Sequence, residues 1–295
     1  MSAANDTLNV ALSAALGVRV AADARAGAVR SHKGAHRYET ERGPVFVKTA
    51  ARSVHDMFAA QAAGLKALAN TQTVRTPDVL AVGTWGGGAF LALEWIDLRA
   101  PTRSSEALLG EQLAWQHRTT QAQYGWWRDN SVGPTPQVNT PCGDWPTFLR
   151  ERRLRYQLDL AAQRGADGTL YERGQLLCAS LEAFFAGYRP PPSLLHGDLW
   201  GGNWGTDADG LPVVFDPAVY FGDREADVAM TRLFGGFGAA FYAGYQSTWP
   251  LDAGAGVRAA LYNLYHVLNH FNLFGGGYLS QARSMIDQLL AEIGK

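Results

Sequence analysis

Two carboxylates, one carboxamide and one lysine could together transfer a phosphoryl group. The run Leu194-Leu195-His196-Gly197-Asp198-Leu199-Trp200-Gly201-Gly202-Asn203 is followed by Val213-Val214-Phe215-Asp216-Pro217, and Lys48 closes the segment Pro44-Val45-Phe46-Val47 far upstream. Phosphorylating a hydroxyl needs a carboxylate to accept its proton, an amide and a second carboxylate to hold magnesium, and a cation on the nucleotide phosphates. Asp198 fits the first role, Asn203 and Asp216 the metal, and Lys48 the phosphates.

Each of these residues alone is also an ordinary turn or surface residue. Order and spacing give them meaning. Asn203 follows Asp198 by five positions, the separation that lets one catalytic loop serve both hydroxyl and metal in protein kinases. Asp216 follows an apolar strand expected at Pro212–Phe215, so its carboxylate should emerge at the strand's end. Lys48 ends a strand in which it should point with Phe46, opposite to Val45 and Val47. A glycine-bearing hairpin precedes that strand and an amphipathic helix follows it.

The elements that must position these groups change character along the chain. A helix is expected at Leu8–Leu16, then short glycine-broken strands from Val18 to Lys48, a helix over Val54–Ala69, and strands at Val79–Val82 and Ala89–Trp95 joined by Gly86–Gly88. Beyond Leu98 helical periodicity dominates, over Glu106–Gln123, Trp145–Arg164, Leu170–Tyr188, Ala226–Tyr245, Val257–Phe274 and Leu279–Ile293. Tyr124–Asp144, rich in Gly, Pro, Asn and Trp, is expected to be an ordered loop or a binding insert. The class is α+β.

With 295 residues, 47% hydrophobic and 18% charged, the chain can bury a large core, as one domain or as two lobes. A net charge of -1 offers no basic surplus, so neither nucleic acid nor a membrane surface is an expected partner. No apolar run approaches a membrane span, and the start of the chain lacks the charge and apolar core of a signal peptide. Cys142 and Cys178 lie far apart without a CxxC pair, which fits a reducing cytoplasm. His266 and His270 lie one helical turn apart but lack the glutamate of a zinc motif; packing, or a substrate contact from Asn269 and His270, is expected instead.

The runs HGDLWGGN, FDPAVYFGDREADVAMTRLFGGF and GPVFVK, with the insert RDNSVGPTPQVN, resemble the fructosamine (ketosamine) kinases, relatives of aminoglycoside and choline kinases. The resemblance runs from about Gly27 to Phe274. It implies a two-lobed protein-kinase-like fold, with a small antiparallel sheet lobe at 1–96 that binds nucleotide and a larger helical lobe at 97–295 that carries the catalytic loop and sugar site. It implies ATP and Mg2+ as cofactors and a hinge near Glu94-Trp95-Ile96. Ser31, Gly34 and Gln61 join Lys48, Glu94 and Ile96 around the nucleotide; His196, Trp200 and His270 line the substrate. The acceptor it implies is a sugar amine or a glycated lysine side chain, phosphorylated on the 3-hydroxyl of a ketosamine, and the chain is expected to act as a monomer.

Two positions depart from the family pattern. Gln61 stands where a glutamate usually pairs with the lysine; it can hydrogen-bond to Lys48 but not neutralise it. The nucleotide-covering loop Val29–Ala35 is poor in glycine and has Ser31 where some members carry a redox-active cysteine, so no thiol switch is expected. Arg224, Glu225 and Asp227 are expected to pair internally and fix the loop that follows Asp216. Competing readings are an aminoglycoside- or choline-like kinase, disfavoured by the few acids in the insert, and a nucleotide-binding protein without turnover.

Overall fold

The computed structural model describes residues 3–28 and 34–295 and has the α+β composition expected from sequence. Its contacts divide the chain into two compact units, Met1–Pro101 with Gly205–Asp216, and Thr102–Trp204 with Pro217–Lys295.

The first unit is a five-stranded antiparallel sheet with a helix on each face. In chain order it comprises α1 (Ala3–Leu16), β1 (Val20–Ala28), β2 (Ala35–Thr40), β3 (Gly43–Ala50), α2 (His55–Ala69), β4 (Val79–Trp85) and β5 (Gly88–Glu94), with strand order β1-β2-β3-β5-β4. Side chains alternate across β3, the central strand. Val45 and Val47 pack with Leu8 and Leu12 of α1 and with Tyr38 and Phe90. Phe46 packs with Phe58 and Leu65 of α2 and with Leu91 and Leu93. Lys48 shares the parity of Phe46, so its side chain leaves the sheet on the α2 face.

The first unit also takes in Gly205–Asp216, a return not anticipated from sequence. Arg75 binds it there. The guanidinium bridges Glu94 and Asp207, both at 2.6 Å, and the Arg75 carbonyl accepts the Val214 amide at 2.9 Å. Asp207 also accepts the backbone amides of Asp209 and Leu211, and its carboxyl lies below the usual range.

The second unit is mostly helical, with α3 (Arg103–Gln116), α4 (Trp145–Leu149), α5 (Arg155–Gln163), α6 (Gly168–Cys178), α7 (Glu225–Leu233), α8 (Ala239–Thr248), α9 (Ala255–Phe274) and α10 (Tyr278–Glu292). Three of the helices expected from periodicity are shorter or broken. The first stops at Gln116, because His117 begins a buried polar network. The segment expected at Leu170–Tyr188 splits into α6 and a tighter turn at Leu181–Phe185. That expected at Ala226–Tyr245 breaks between α7 and α8, where Gly235 and Gly236 take φ of 73° and 93°, outside the helical range. The insert is ordered: Asn130–Val132 pairs with Thr135–Gln137 as a short hairpin, and Trp126 is buried while Trp127 is exposed.

Candidate active site

In the first unit, the end of β3 meets the residue that follows the Pro212–Val214 strand. Lys48 Nζ donates to Asp216 Oδ1 at 2.5 Å, and Gln61 Nε2, from α2, donates to the same oxygen at 2.7 Å. The Lys48 and Asp216 side chains are only 14% and 18% exposed, so this ion pair is screened far less than a surface pair. Gln61 therefore donates a hydrogen bond to the carboxylate that Lys48 also engages. Asp216 has φ of 57°, a left-handed conformation that is sparsely populated outside glycine and concentrates at functional sites.

Glu94 uses its side chain on Arg75 and on the Asp78 amide. The Gly34 carbonyl, just before β2, accepts the amide and hydroxyl of Thr49 at 2.8 and 3.1 Å. Ser31 lies outside the described residues.

In the second unit, the loop after the Ser193–Leu195 strand carries Asp198. Asn203 Nδ2 donates to the Asp198 carbonyl at 2.8 Å and to its Oδ2 at 3.2 Å, so the five-residue spacing closes the loop upon itself. That leaves the Asn203 carboxamide oxygen for another partner. A carboxamide oxygen and carboxylates are the hard oxygen donors that magnesium takes, usually few in number because waters and phosphates complete its shell. Among the described residues no group of three or more His, Cys, Asp or Glu gathers as a metal site.

A buried carboxylate holds the loop from beneath. Asp227, in the first turn of α7, accepts the His196 amide at 2.7 Å and the Gly197 amide at 2.8 Å. His117 Nε2 lies 3.1 Å from the same carboxylate and His117 Nδ1 lies 2.8 Å from the Tyr245 hydroxyl, which in turn receives Arg224. Burial pushes the His117 imidazole below its ordinary range, so it is neutral, giving Nε2–H to Asp227 and accepting from Tyr245. Burial raises the Asp227 carboxyl, but the hydrogen bonds it accepts from His117 and from the Gly197 amide outweigh it, and the carboxyl lies low. Gly197 has φ of 82°, and a Cβ there would lie 2.1 Å from the Ala218 carbonyl, so no other residue fits.

Several expected roles change in this setting. His196 was expected at the substrate, yet it is fully buried and its Nδ1 accepts the Asp198 amide at 3.3 Å; the ring braces the loop. Arg224, Glu225 and Asp227 do not pair with one another. Arg224 binds the Trp249 and Pro250 carbonyls, Glu225 pairs with Arg258 at 2.8 Å, and Asp227 holds the loop. Geometry separates them: three nearly consecutive residues entering a helix point in different directions.

Trp200 is 40% exposed. Its ring meets Phe234 edge-on with centroids 6.5 Å apart, and Phe234 contacts His270 at 4.6 Å, so the tryptophan and His270 belong to one aromatic strip. His270 Nδ1 donates to the His266 carbonyl. His117, Tyr245 and Arg75 were missed in the sequence, where nothing in their spacing distinguishes them from core or surface residues. The carboxylate of Asp227 in the first turn of α7 was the one available signal for the loop anchor.

The fructosamine kinase family profile matches residues 3–292. A Synechocystis protein described as a candidate ketoamine kinase is 45% identical over 246 residues, covering 83% of this chain and 82% of the relative. The chloroplastic protein-ribulosamine 3-kinase of Oryza sativa subsp. indica is 43% identical over 256 residues, 86% of this chain and 74% of the relative. A crystal structure of a candidate fructosamine-3-kinase from Thermobifida fusca superposes with a TM-score of 0.85 at 33% identity, covering 97% of this chain and 99% of the other. The chain therefore belongs to the fructosamine kinase family and is a kinase that takes its phosphoryl group from ATP.

Proposed function

We propose that this kinase transfers the γ-phosphate of ATP to the 3-hydroxyl of a ketosamine, a sugar attached through an amine to a small molecule or a lysine side chain, and so serves the repair of glycated protein. The observation that carries the reading is the loop in which Asn203 closes onto Asp198, within a chain whose relatives are described as ketoamine and ribulosamine kinases.

Asp198 accepts the proton of the attacking hydroxyl as its oxygen bonds to the γ-phosphorus and the bond from that phosphorus to the bridging oxygen breaks, releasing ADP; the Asn203 amide on Oδ2 sets the orientation of the carboxylate. Lys48 holds the oxygens of the non-transferring phosphates, sharing its donors between them and Asp216. Asn203, through its free carboxamide oxygen, and Asp216 are the residues that would hold Mg2+. When bound, the metal neutralises charge on the phosphates. Trp200 covers the apolar face of the sugar and leaves its hydroxyls to polar partners. On this reading residues 1–96 bind the nucleotide, 97–295 carry the catalytic loop and the sugar site, and the protein works as a cytoplasmic monomer. No helix among the described residues is long and apolar enough to cross a membrane.

The test is Asp198→Asn. The amide keeps the side chain's shape but takes no proton, so acceptor-dependent ADP formation should fall by about 10²–10⁴-fold. Fructosyl-, ribulosyl- and erythrulosyl-amines, with the phosphorylated oxygen mapped, cover the substrate class. Full activity of the variant refutes the role of Asp198, and phosphate on another hydroxyl refutes the assigned position.

A further inference from the structure

The insert at 124–144 carries a polar core that the proposed chemistry does not use. Gln137 Nε2 donates to the Ala218 carbonyl at 3.0 Å and to Asn130 Oδ1 at 2.9 Å, while its Oε1 accepts the Tyr265 hydroxyl at 2.9 Å. Asn130 Nδ2 donates to the Val219 carbonyl at 2.7 Å. Asn139 donates to Asn130 Oδ1 at 2.8 Å and accepts from Arg153 at 2.7 Å. Arg153 is 1% exposed, with Phe148 and Tyr220 stacked against its guanidinium at 4.6 and 4.1 Å.

These amides spend their donors and acceptors inside the protein. Gln137 is buried with both its oxygen and its nitrogen engaged, so it has nothing to offer a sugar. What it does hold is the backbone two and three residues after Asp216. Ala218 passes the constraint on, because its amide donates to the His196 carbonyl at 2.9 Å and its own carbonyl packs against Gly197, next to Asp198.

We infer that Asn130 and Gln137 are positioning residues for phosphoryl transfer: through Ala218 and Val219 they fix the peptide that follows Asp216 and the loop that carries Asp198. The insert is a clamp on the catalytic loop. Positioning of this kind matters because a displacement of about 1 Å at a reacting group can cost on the order of 10²-fold in rate. The inference rests on the proposed role of Asp198 and deepens it.

The test compares Gln137→Leu and Tyr265→Phe with the wild type in steady-state kinetics and in amide hydrogen exchange. Gln137→Leu removes all three hydrogen bonds of the Gln137 side chain, and kcat should drop about 10–100-fold while KM for the acceptor stays within about 2-fold. Exchange should quicken at Ala218 and over residues 196–199. Tyr265→Phe removes one hydroxyl and should show the same pattern more weakly; it carries the test if Gln137→Leu does not fold. A raised acceptor KM at unchanged kcat would mean that the insert binds the acceptor, and an unchanged kcat per folded molecule would mean that it only stabilises; either overturns the inference. If the wild type phosphorylates no ketosamine, the proposed function fails, and exchange at Ala218 and 196–199 alone then decides the clamp: unchanged exchange rejects it.

Discussion

The two sets of reactive groups are held by different physics. At the end of β3, Lys48, Gln61 and Asp216 meet one another directly, so side-chain charge itself does the holding and two donors converge on one carboxylate oxygen. In the loop at 196–203, Asn203 donates to the Asp198 carboxylate, and the loop is held from below by Asp227, His117 and Tyr245, none of which is near Asp198 in the chain. On the proposed reading the first arrangement adjusts when phosphates arrive, because the Lys48 ammonium then shares its three donors between Asp216 and the nucleotide. On the same reading the second keeps its place, since the loop of the proposed base is held through the His196 and Gly197 amides on the buried Asp227 carboxylate.

That contrast is most exposed to removal of the anion. Asp227→Ala leaves two backbone amides and a buried histidine without their acceptor, a loss of about 3–5 kcal/mol in unfolding free energy. Urea denaturation gives the value, and faster exchange of the His196 and Gly197 amides should accompany it. A stability within about 1 kcal/mol of wild type would show that the loop does not depend on this carboxylate.

Acid should act on the same side of the comparison. Burial pushes His117 below the usual histidine range and His266 down to about 3, so both are neutral in the folded protein and take up a proton on unfolding below about 6.5. Their contribution is complete above that pH and is lost as pH falls, each with a limiting slope of about 1.4 kcal/mol per pH unit. Asp223 has the opposite sign. Burial, with Glu225 beside it, pushes its carboxyl up to about 7, so the folded state retains a proton that the unfolded chain releases above about 4, and that contribution is lost as pH rises toward 7. Two histidines against one carboxyl predict falling stability between pH 6.5 and 5. His266→Leu should flatten the slope, and a variant with the wild-type slope would remove His266 from the account.

The smallest effect belongs to the cluster at the end of β3. Gln61→Ala removes one hydrogen bond to Asp216 and should cost about 1 kcal/mol, a shift of a few degrees in thermal midpoint. If Gln61 also positions Lys48 for phosphate, KM for ATP rises with it; a thermal shift at unchanged KM confines Gln61 to the unliganded pair.

Much of this was legible along the chain. The alternation Val45-Phe46-Val47-Lys48 predicts which way the lysine points, and the two core clusters on opposite faces of β3 bear it out. The helices at 255–274 and 278–292 fall within two residues of their periodicity. The failures have specific causes. A helical pattern ran through Phe234–Gly238 because hydrophobic spacing does not register the positive φ of two glycines. It ran past Gln116 because His117 to Gln123 keep helix-compatible residues whose bonds go elsewhere, Leu194 donating its amide to the Thr119 carbonyl. The insert reads as an ordered loop or a binding segment, because its sequence does not show that Gln137 and Asn130 bond to the backbone at Ala218 and Val219.

Residue types and their short spacings were enough for the class of chemistry, the strand that presents Lys48 and the loop joining Asp198 to Asn203, because each depends on covalent neighbours and on the repeat of a strand or turn. The partner of Gln61, the anchor beneath the loop and the purpose of the insert required the folded chain. Gln61 and Asp216 are 155 positions apart and His117 and Asp227 are 110 apart, and over such separations a pairing leaves no periodic trace in the chain and exists only once packing has brought the two groups within hydrogen-bond reach.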